Sequence, residues 1–269
     1  MKKYPIVLTI AGSDSCGGAG IQADIKAISA TGSYAASAIT AVTVQNTLCV
    51  EAVHPVPIDI IKGQISAVLS DIGANAIKIG MLHSAEVVLA VAESIDGFTN
   101  IVLDPVMVST SGHRLIEESA IKVLKEKLLP MARVITPNIP EAEVLTGEKV
   151  MSQDDLFHFA RKISGAFSSA HPVSVMMKAG HLSDEDLTDV FYNAEKDTFL
   201  QLHSRRCDTP NTHGTGCTLS SAFASYLAQG LDLDNAARAA KDYIARAIES
   251  GTEYSIGHGH GPVNHFFML

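Results

Sequence analysis

Short apolar runs alternate with longer helix-periodic segments along nearly the whole chain, and this alternation constrains the fold more than any other feature. Apolar runs predict strands at 6–11, 34–45, 76–79, 101–103, 134–136 and 173–178. Between them, helical spacing predicts a helix ending near residue 30 and others at 58–70, 85–93, 116–127, 141–145 and 154–166. Buried strands separated by helices imply a parallel sheet covered on both faces. Residues 190–192 and 199–202 read as a late hairpin, followed by helices at 217–229 and 234–249. With no linker-like stretch and no internal repeat, residues 1–269 are expected to form one three-layer α/β/α domain with a mostly parallel sheet.

At 46% hydrophobic and 18% charged, the chain can bury a large core and is not disordered by composition. A net charge of −9 argues against a nucleic-acid partner, so any anion must be held by local backbone and a few lysines. The four cysteines, Cys16, Cys49, Cys207 and Cys217, form no C-x-x-C pair and suggest neither a disulfide framework nor a zinc site. The apolar run near the N-terminus is broken by Thr9 and followed by Asp14, which suits a buried first strand better than a secretory signal or a membrane span. The expected location is therefore the cytoplasm.

Residues 208–221 carry the first chemical signal. Pro210, Asn211, Gly214 and Gly216 form a polar turn, and an apolar helical face begins after Thr218 with Leu219, Ala222, Phe223, Tyr226 and Leu227. Glycines before a helix let several N–H groups converge, and a helix N-terminus attracts anions. Cys217 stands at that terminus, where the same field should favour thiolate. The stretch reads either as an anion hole beside an ionisable group or as an ordinary glycine-rich loop–helix junction.

A second glycine-rich turn, residues 12–20, follows the first strand. Residues 18–23 match the G-x-G-x-x-A dinucleotide pattern, but residues 25–50 contain no acidic side chain to hold a ribose. The chain has no Gly-Lys dipeptide, which excludes a P-loop.

Ligands of open α/β sheets gather at the carboxyl ends of the strands. That rule collects Asp14, Asp24, Gln45, Met81, Asp104, Asn138, Glu141, Lys178 and the 214–217 loop at one rim. The Gln45 amide can read the edge of a nitrogen ring or simply cap a strand. Asp104, before Pro105, suits either Mg2+ or a turn. Asn138 and Glu141 have capping-box spacing, which is compatible with a binding role. Lys178 can meet a phosphate or water, and Lys241 reads by default as a surface residue. Met81 and Val108 are core residues or walls of a ring pocket. The glycine-broken tail with His258, His260 and His265 promises no converging metal ligands.

Taken together, the segments 11–24, 41–47, 78–81, 103–107, 136–138, 178–181, 211–220 and 257–265 resemble the bacterial hydroxymethylpyrimidine/phosphomethylpyrimidine kinases of the ribokinase-like superfamily. The resemblance runs nearly end to end. It implies ATP- and Mg2+-dependent phosphorylation of 4-amino-5-hydroxymethyl-2-methylpyrimidine and then of its monophosphate, for thiamine synthesis. Pyridoxal kinase of the same family is the alternative. The resemblance further implies that Gln45 reads the aminopyrimidine edge, with Gly12 and Asp24 beside the substrate and Val44, Met81 and Val108 against the ring. Gly214, Thr215 and Gly216 would form the anion hole, with Cys217 as base where most of the superfamily carry aspartate. Lys178, His213, Lys241 and Asn138 would lie near ATP, Glu141 and Asp104 would serve Mg2+, and the enzyme would be a homodimer. Two departures from the family pattern, Cys16 and Ala179, affect loop shape without removing a chemical group.

Overall fold

The computed structural model describes residues 3–107, 115–182 and 184–269. Among these described residues, nine strands form one sheet in the order β3-β2-β1-β4-β5-β6-β7-β8-β9. They are β1 (Ile6–Asp14), β2 (Tyr34–Gln45), β3 (Val50–Pro55), β4 (Ala76–Ile79), β5 (Ile101–Leu103), β6 (Val134–Ile135), β7 (Ser174–Met177), β8 (Asp186–Asn193) and β9 (Thr198–Arg205). The six strands from β2 to β7 in the sheet are parallel, while β3, β8 and β9 run antiparallel to their neighbours. The helices are α1 (Gly20–Ala30), α2 (Ile58–Asp71), α3 (Ala85–Ser94), α4 (Glu118–Val123), α5 (Ile139–Thr146), α6 (Asp155–Phe167), α7 (Thr215–Ala228) and α8 (Leu233–Gly251).

Strand side chains alternate between two cores, as a pleated sheet requires. Leu8, Ile10, Ile77, Ile79, Ile135, Val175 and Val190 face the layer of α2 to α6. Val7, Ala76, Val102, Val134, Met176 and Phe191 face the layer of α1, α7 and α8. The sheet order reverses direction between β1 and β4, and such a switch point opens a crevice at the strand ends. The 12–20 turn and the start of α7 both lie at this end of the sheet.

One strand was not foreseen, and two local expectations need correction. Residues 50–55 form β3, an antiparallel edge strand with Val50 alone buried, so periodicity there is weak. The 34–45 run is not buried throughout, because β2 pairs with this edge and leaves Val42 and Val44 about half exposed. The expected helix at 116–127 is α only over Glu118–Val123. A π-turn at Leu124–Leu128 and a 3-10 turn at Leu129–Met131 follow, because Pro130 cannot donate the next helical hydrogen bond. Among the described residues no helix is long and apolar enough to cross a membrane.

The C-terminal tail locks the site-bearing layer. Tyr243 donates its hydroxyl hydrogen to the His265 carbonyl (2.8 Å), and His265 Nε2 lies 3.0 Å from Thr218 Oγ1. Burial, with Lys26 nearby, lowers the His265 pKa to about 4, so the ring is neutral. The unfolded chain therefore binds a proton below pH 6.5 that the folded chain refuses until about pH 4. This contribution to stability is present above pH 6.5 and is lost as pH falls through that window. Replacing His265→Gln should lower stability at pH 7 by about 1–3 kcal/mol while removing an acid-sensitive component on the order of 3 kcal/mol. Urea unfolding of both proteins at pH 7.5, 5.5 and 4.5 measures the difference.

Candidate active site

The centre of the site is a contact between two glycine-rich backbones. Gly214 precedes α7 with φ +79°, in the left-handed region, and α7 has no side-chain cap. A Cβ on Gly214 would lie 1.8 Å from the Gly18 carbonyl oxygen, so only glycine allows the two loops to meet. Gly20, at φ +55°, meets the Gly12 carbonyl in the same way. The uncapped first turn of α7, with Gly214, Thr215, Gly216 and Cys217, is thus pressed against the β1–α1 turn.

Asp14 ties that turn together. Its carboxylate accepts hydrogen bonds from the amides of Cys16, Gly18 and Ala19, and lies 2.8 Å from His213 Nε2. Burial opposes its charge, but His213 and the amides outweigh it and hold the pKa below the usual carboxylate range. His213 Nε2 also lies 3.4 Å from Gln45 Nε2, which brings the expected ring-reading amide beside the α7 loop. His213, expected near ATP, contacts Asp14 and Gln45. Met81 packs under Gly12, where a Cβ would sit 3.0 Å from its sulfur. Val44 is about half exposed beside Gln45, and Val108 lies outside the described residues.

On the other flank, Lys178 Nζ binds Asp104 Oδ1 at 2.8 Å and lies 3.9 Å from Glu141 Oε2. Thr136 donates to the same Asp104 oxygen. A Cβ on Gly216 would sit 3.2 Å from Lys178 Nζ and 3.3 Å from Asp104 Oδ2, so this cluster abuts the α7 terminus. Asn138 and Glu141 form a complete capping box on α5, which holds the Glu141 carboxylate in place. Burial, reinforced by Asp104 and opposed by Lys178, raises the Glu141 pKa to about 7. Lys241 is not a surface residue: it is nearly buried, 2.6 Å from Asp189 Oδ2. Asp189 Oδ1 accepts from the Ala179 amide, which links Lys241 to the strand end that carries Lys178. Beyond Lys241, a cavity of about 570 Å³ between β9 and α8 is lined by Arg205, Cys207, Arg238 and Ala245.

Beneath the floor, Asp24 is wholly buried and bonded to Lys78, Thr9 and Ser221, so it faces no open space and cannot touch a substrate in this arrangement. Cys217 also departs from expectation. Burial, with Asp24 and Asp104 adding to it, raises its pKa to about 11, against the pull of Lys78 and the Gly20 amide. Desolvation dominates, and the resting group is a thiol. Lys78, which sequence reasoning left out of the site, is wholly buried beneath it; its signals were a charge inside an apolar strand run and its place in the 78–81 segment.

Comparison with known proteins matches residues 14–264 to the phosphomethylpyrimidine kinase family. The chain is 46% identical to a hydroxymethylpyrimidine/phosphomethylpyrimidine kinase of Rhizobium meliloti over 97% of both chains. It resembles the crystal structure of phosphomethylpyrimidine kinase from Clostridium difficile at 44% identity, with a TM-score of 0.78 over 90% of this chain and 99% of that one. It also resembles the ADP complex of pyridoxal kinase from Bacillus subtilis at 36% identity, with a TM-score of 0.88 over 98% of both chains.

The raised Glu141 pKa has a measurable consequence. Its proton is lost inside the folded protein only near pH 7, so its contribution falls as pH rises from about 4.5 to 7. Glu141→Gln keeps an acceptor for the Asn138 amide and removes the buried charge. The variant should match the native melting temperature at pH 5 and exceed it by roughly 2–4 °C at pH 8, while phosphoryl transfer drops at least about tenfold. Differential scanning fluorimetry at both pH values, with a turnover assay, checks the prediction.

Proposed function

The chain belongs to the phosphomethylpyrimidine kinase family, and from that membership we propose that it transfers the γ-phosphoryl group of ATP to 4-amino-5-hydroxymethyl-2-methylpyrimidine and then to the resulting monophosphate. The observation that carries this reading is the juxtaposition of the Gln45 amide with the uncapped, glycine-lined start of α7, bridged by His213. Gln45 offers a donor and an acceptor to an aminopyrimidine edge, with Met81 and Val44 as apolar neighbours. The first-turn amides of Gly214 to Cys217 meet the charge that develops on the transferred phosphoryl group.

ATP would lie along the other flank. Lys178 faces the phosphates, and the basic cavity beyond Lys241 has room for the nucleoside. Two carboxylates, Asp104 and Glu141, converge on this flank, and Asp104 Oδ2 has no hydrogen bond among the described residues, which suits a cation that takes one or two protein carboxylates. Held there by Asp104 and Glu141, Mg2+ would neutralise charge on the phosphate oxygens. Lys178 keeps both carboxylates ordered and sits where the phosphate charge arrives. A homodimer belongs to the same reading, and sedimentation velocity tests it.

Cys217 is the proposed proton acceptor for the substrate hydroxyl. Since its resting form is the thiol, its share of catalysis is bounded, and most of the rate comes from positioning and charge stabilisation. In the second transfer the attacking phosphate oxygen is already ionised and needs no base. Cys217→Ala should therefore slow the first transfer by about 10- to 100-fold and the second by less than about threefold. Equal losses in both steps would remove Cys217 from the base role.

A second reading, pyridoxal kinase, is supported by the similarity of the fold to the pyridoxal kinase of Bacillus subtilis. ATP consumption measured side by side on hydroxymethylpyrimidine and pyridoxine, with product phosphates counted, decides the substrate. The proposed function requires a diphosphate product and a higher kcat/KM for the pyrimidine.

A further inference from the structure

We infer that the buried Asp24–Lys78 pair is the electrostatic control of the α7 terminus, with Lys78 a positioning residue that holds a positive charge beneath the first turn and favours the thiolate of Cys217. Neither member is open to a substrate. Lys78, on β4, has no exposed surface, and its Nζ lies 2.7 and 2.9 Å from the two oxygens of Asp24 on α1. Asp24 also accepts from Thr9 Oγ1 at 2.6 Å and from Ser221 Oγ at 2.7 Å.

Ser221 stands four residues after Cys217, one helical turn below it on the same face of α7. Its hydrogen bond therefore hangs the Cys217 face of α7 directly over the pair. Gly80 completes the arrangement: a Cβ there would fall 2.8 Å from Lys78 Nζ and 3.1 Å from the Ala11 side chain, so the backbone leaves room for the ammonium and nothing more.

A fully buried ion pair is poor value as a stabiliser, because removing two charges from water offsets most of their attraction. Its place explains it better. The charged groups acting on the thiol are Lys78 from β4, Asp24 from α1, Asp104 after β5 and Lys178 after β7, joined by the Gly20 amide. Lys78 is the strongest influence opposing the burial of the thiolate, whereas both carboxylates act with burial. The thiol in turn favours the charged form of Lys78, whose own burial is outweighed by Asp24, Cys217 and Asp104.

This inference rests on the reading of Cys217 as first-step base, and its test does not need catalysis. In protein carrying Cys16→Ser, Cys49→Ser and Cys207→Ser, iodoacetamide modifies Cys217 alone, and mass spectrometry gives the rate at pH 8.5. Asp24→Asn leaves Lys78 unopposed and should raise that rate at least threefold. Asp24→Asn with Lys78→Met removes the cation as well and should bring the rate at least threefold below that of Asp24→Asn. Both variants lack the same carboxylate, so loosening of the fold would raise both rates together. Rates within twofold of each other overturn the inference. Lys78→Met alone leaves Asp24 as an unpaired buried charge and is the variant least able to fold, so the comparison does not depend on it. The pH dependence of the first transfer in Asp24→Asn separates the two readings. A profile shifted to lower pH supports both, and an unmoved profile with faster alkylation supports control by Lys78 while overturning Cys217 as base.

Discussion

The close approach of Gly214 to the Gly18 carbonyl sets the geometry of everything else at the rim. One backbone contact fixes where α7 begins, and three consecutive directions follow from it. His213, just before it, turns toward Asp14 and Gln45. Gly216, just after it, faces Lys178 and Asp104. Cys217, one residue further, meets the Gly20 amide and looks down on the Asp24–Lys78 pair. No side chain can substitute at the contact, because the space is filled by backbone on both sides.

The second organising element is a set of buried lysine–aspartate pairs. Lys78 pairs with Asp24, Lys178 with Asp104, and Lys241 with Asp189, and each links a different pair of elements under the same rim. In a chain of net charge −9, this gathers three cations under one rim and leaves the wider surface acidic. Desolvating such pairs consumes stability, and the apolar layers on both faces of the sheet offset that cost. The Glu141 carboxyl illustrates the balance: its capping box orders it, while burial beside Asp104 resists its ionisation.

The layered fold was legible because apolar runs on β1, β4, β5, β6 and β7 are short, continuous and separated by clear helices. β3 escaped notice because only Val50 of its six residues is buried, so an edge strand lacks the contrast that periodicity needs. Within the site, residue type and strand-end position were enough to bring Gln45, Asp104, Glu141 and Lys178 to one rim. They did not show direction along that rim, so the contact of His213 with Gln45 was not foreseen. Depth was equally hidden. Asp24 and Lys241 read as accessible charges in sequence, yet their partners Lys78 and Asp189 lie 54 and 52 residues away along the chain. The expected thiolate at Cys217 failed for a related reason: a helix terminus is a local feature, whereas desolvation depends on every element packed around the group.

That last point bears on why a thiol suits this position. A carboxylate at residue 217 would place a third acidic group near Asp24 and Asp104. A thiol is neutral at rest and adds no repulsion. On the proposed function the acceptor of the second transfer is itself a phosphate, so the charge already at the rim rises between the two steps. A permanently ionised base would help the first transfer and oppose the second. On the proposed reading a weakly acidic group, neutral at rest and close to Lys78, opposes neither step, and one pocket can then phosphorylate first an alcohol and then a phosphate.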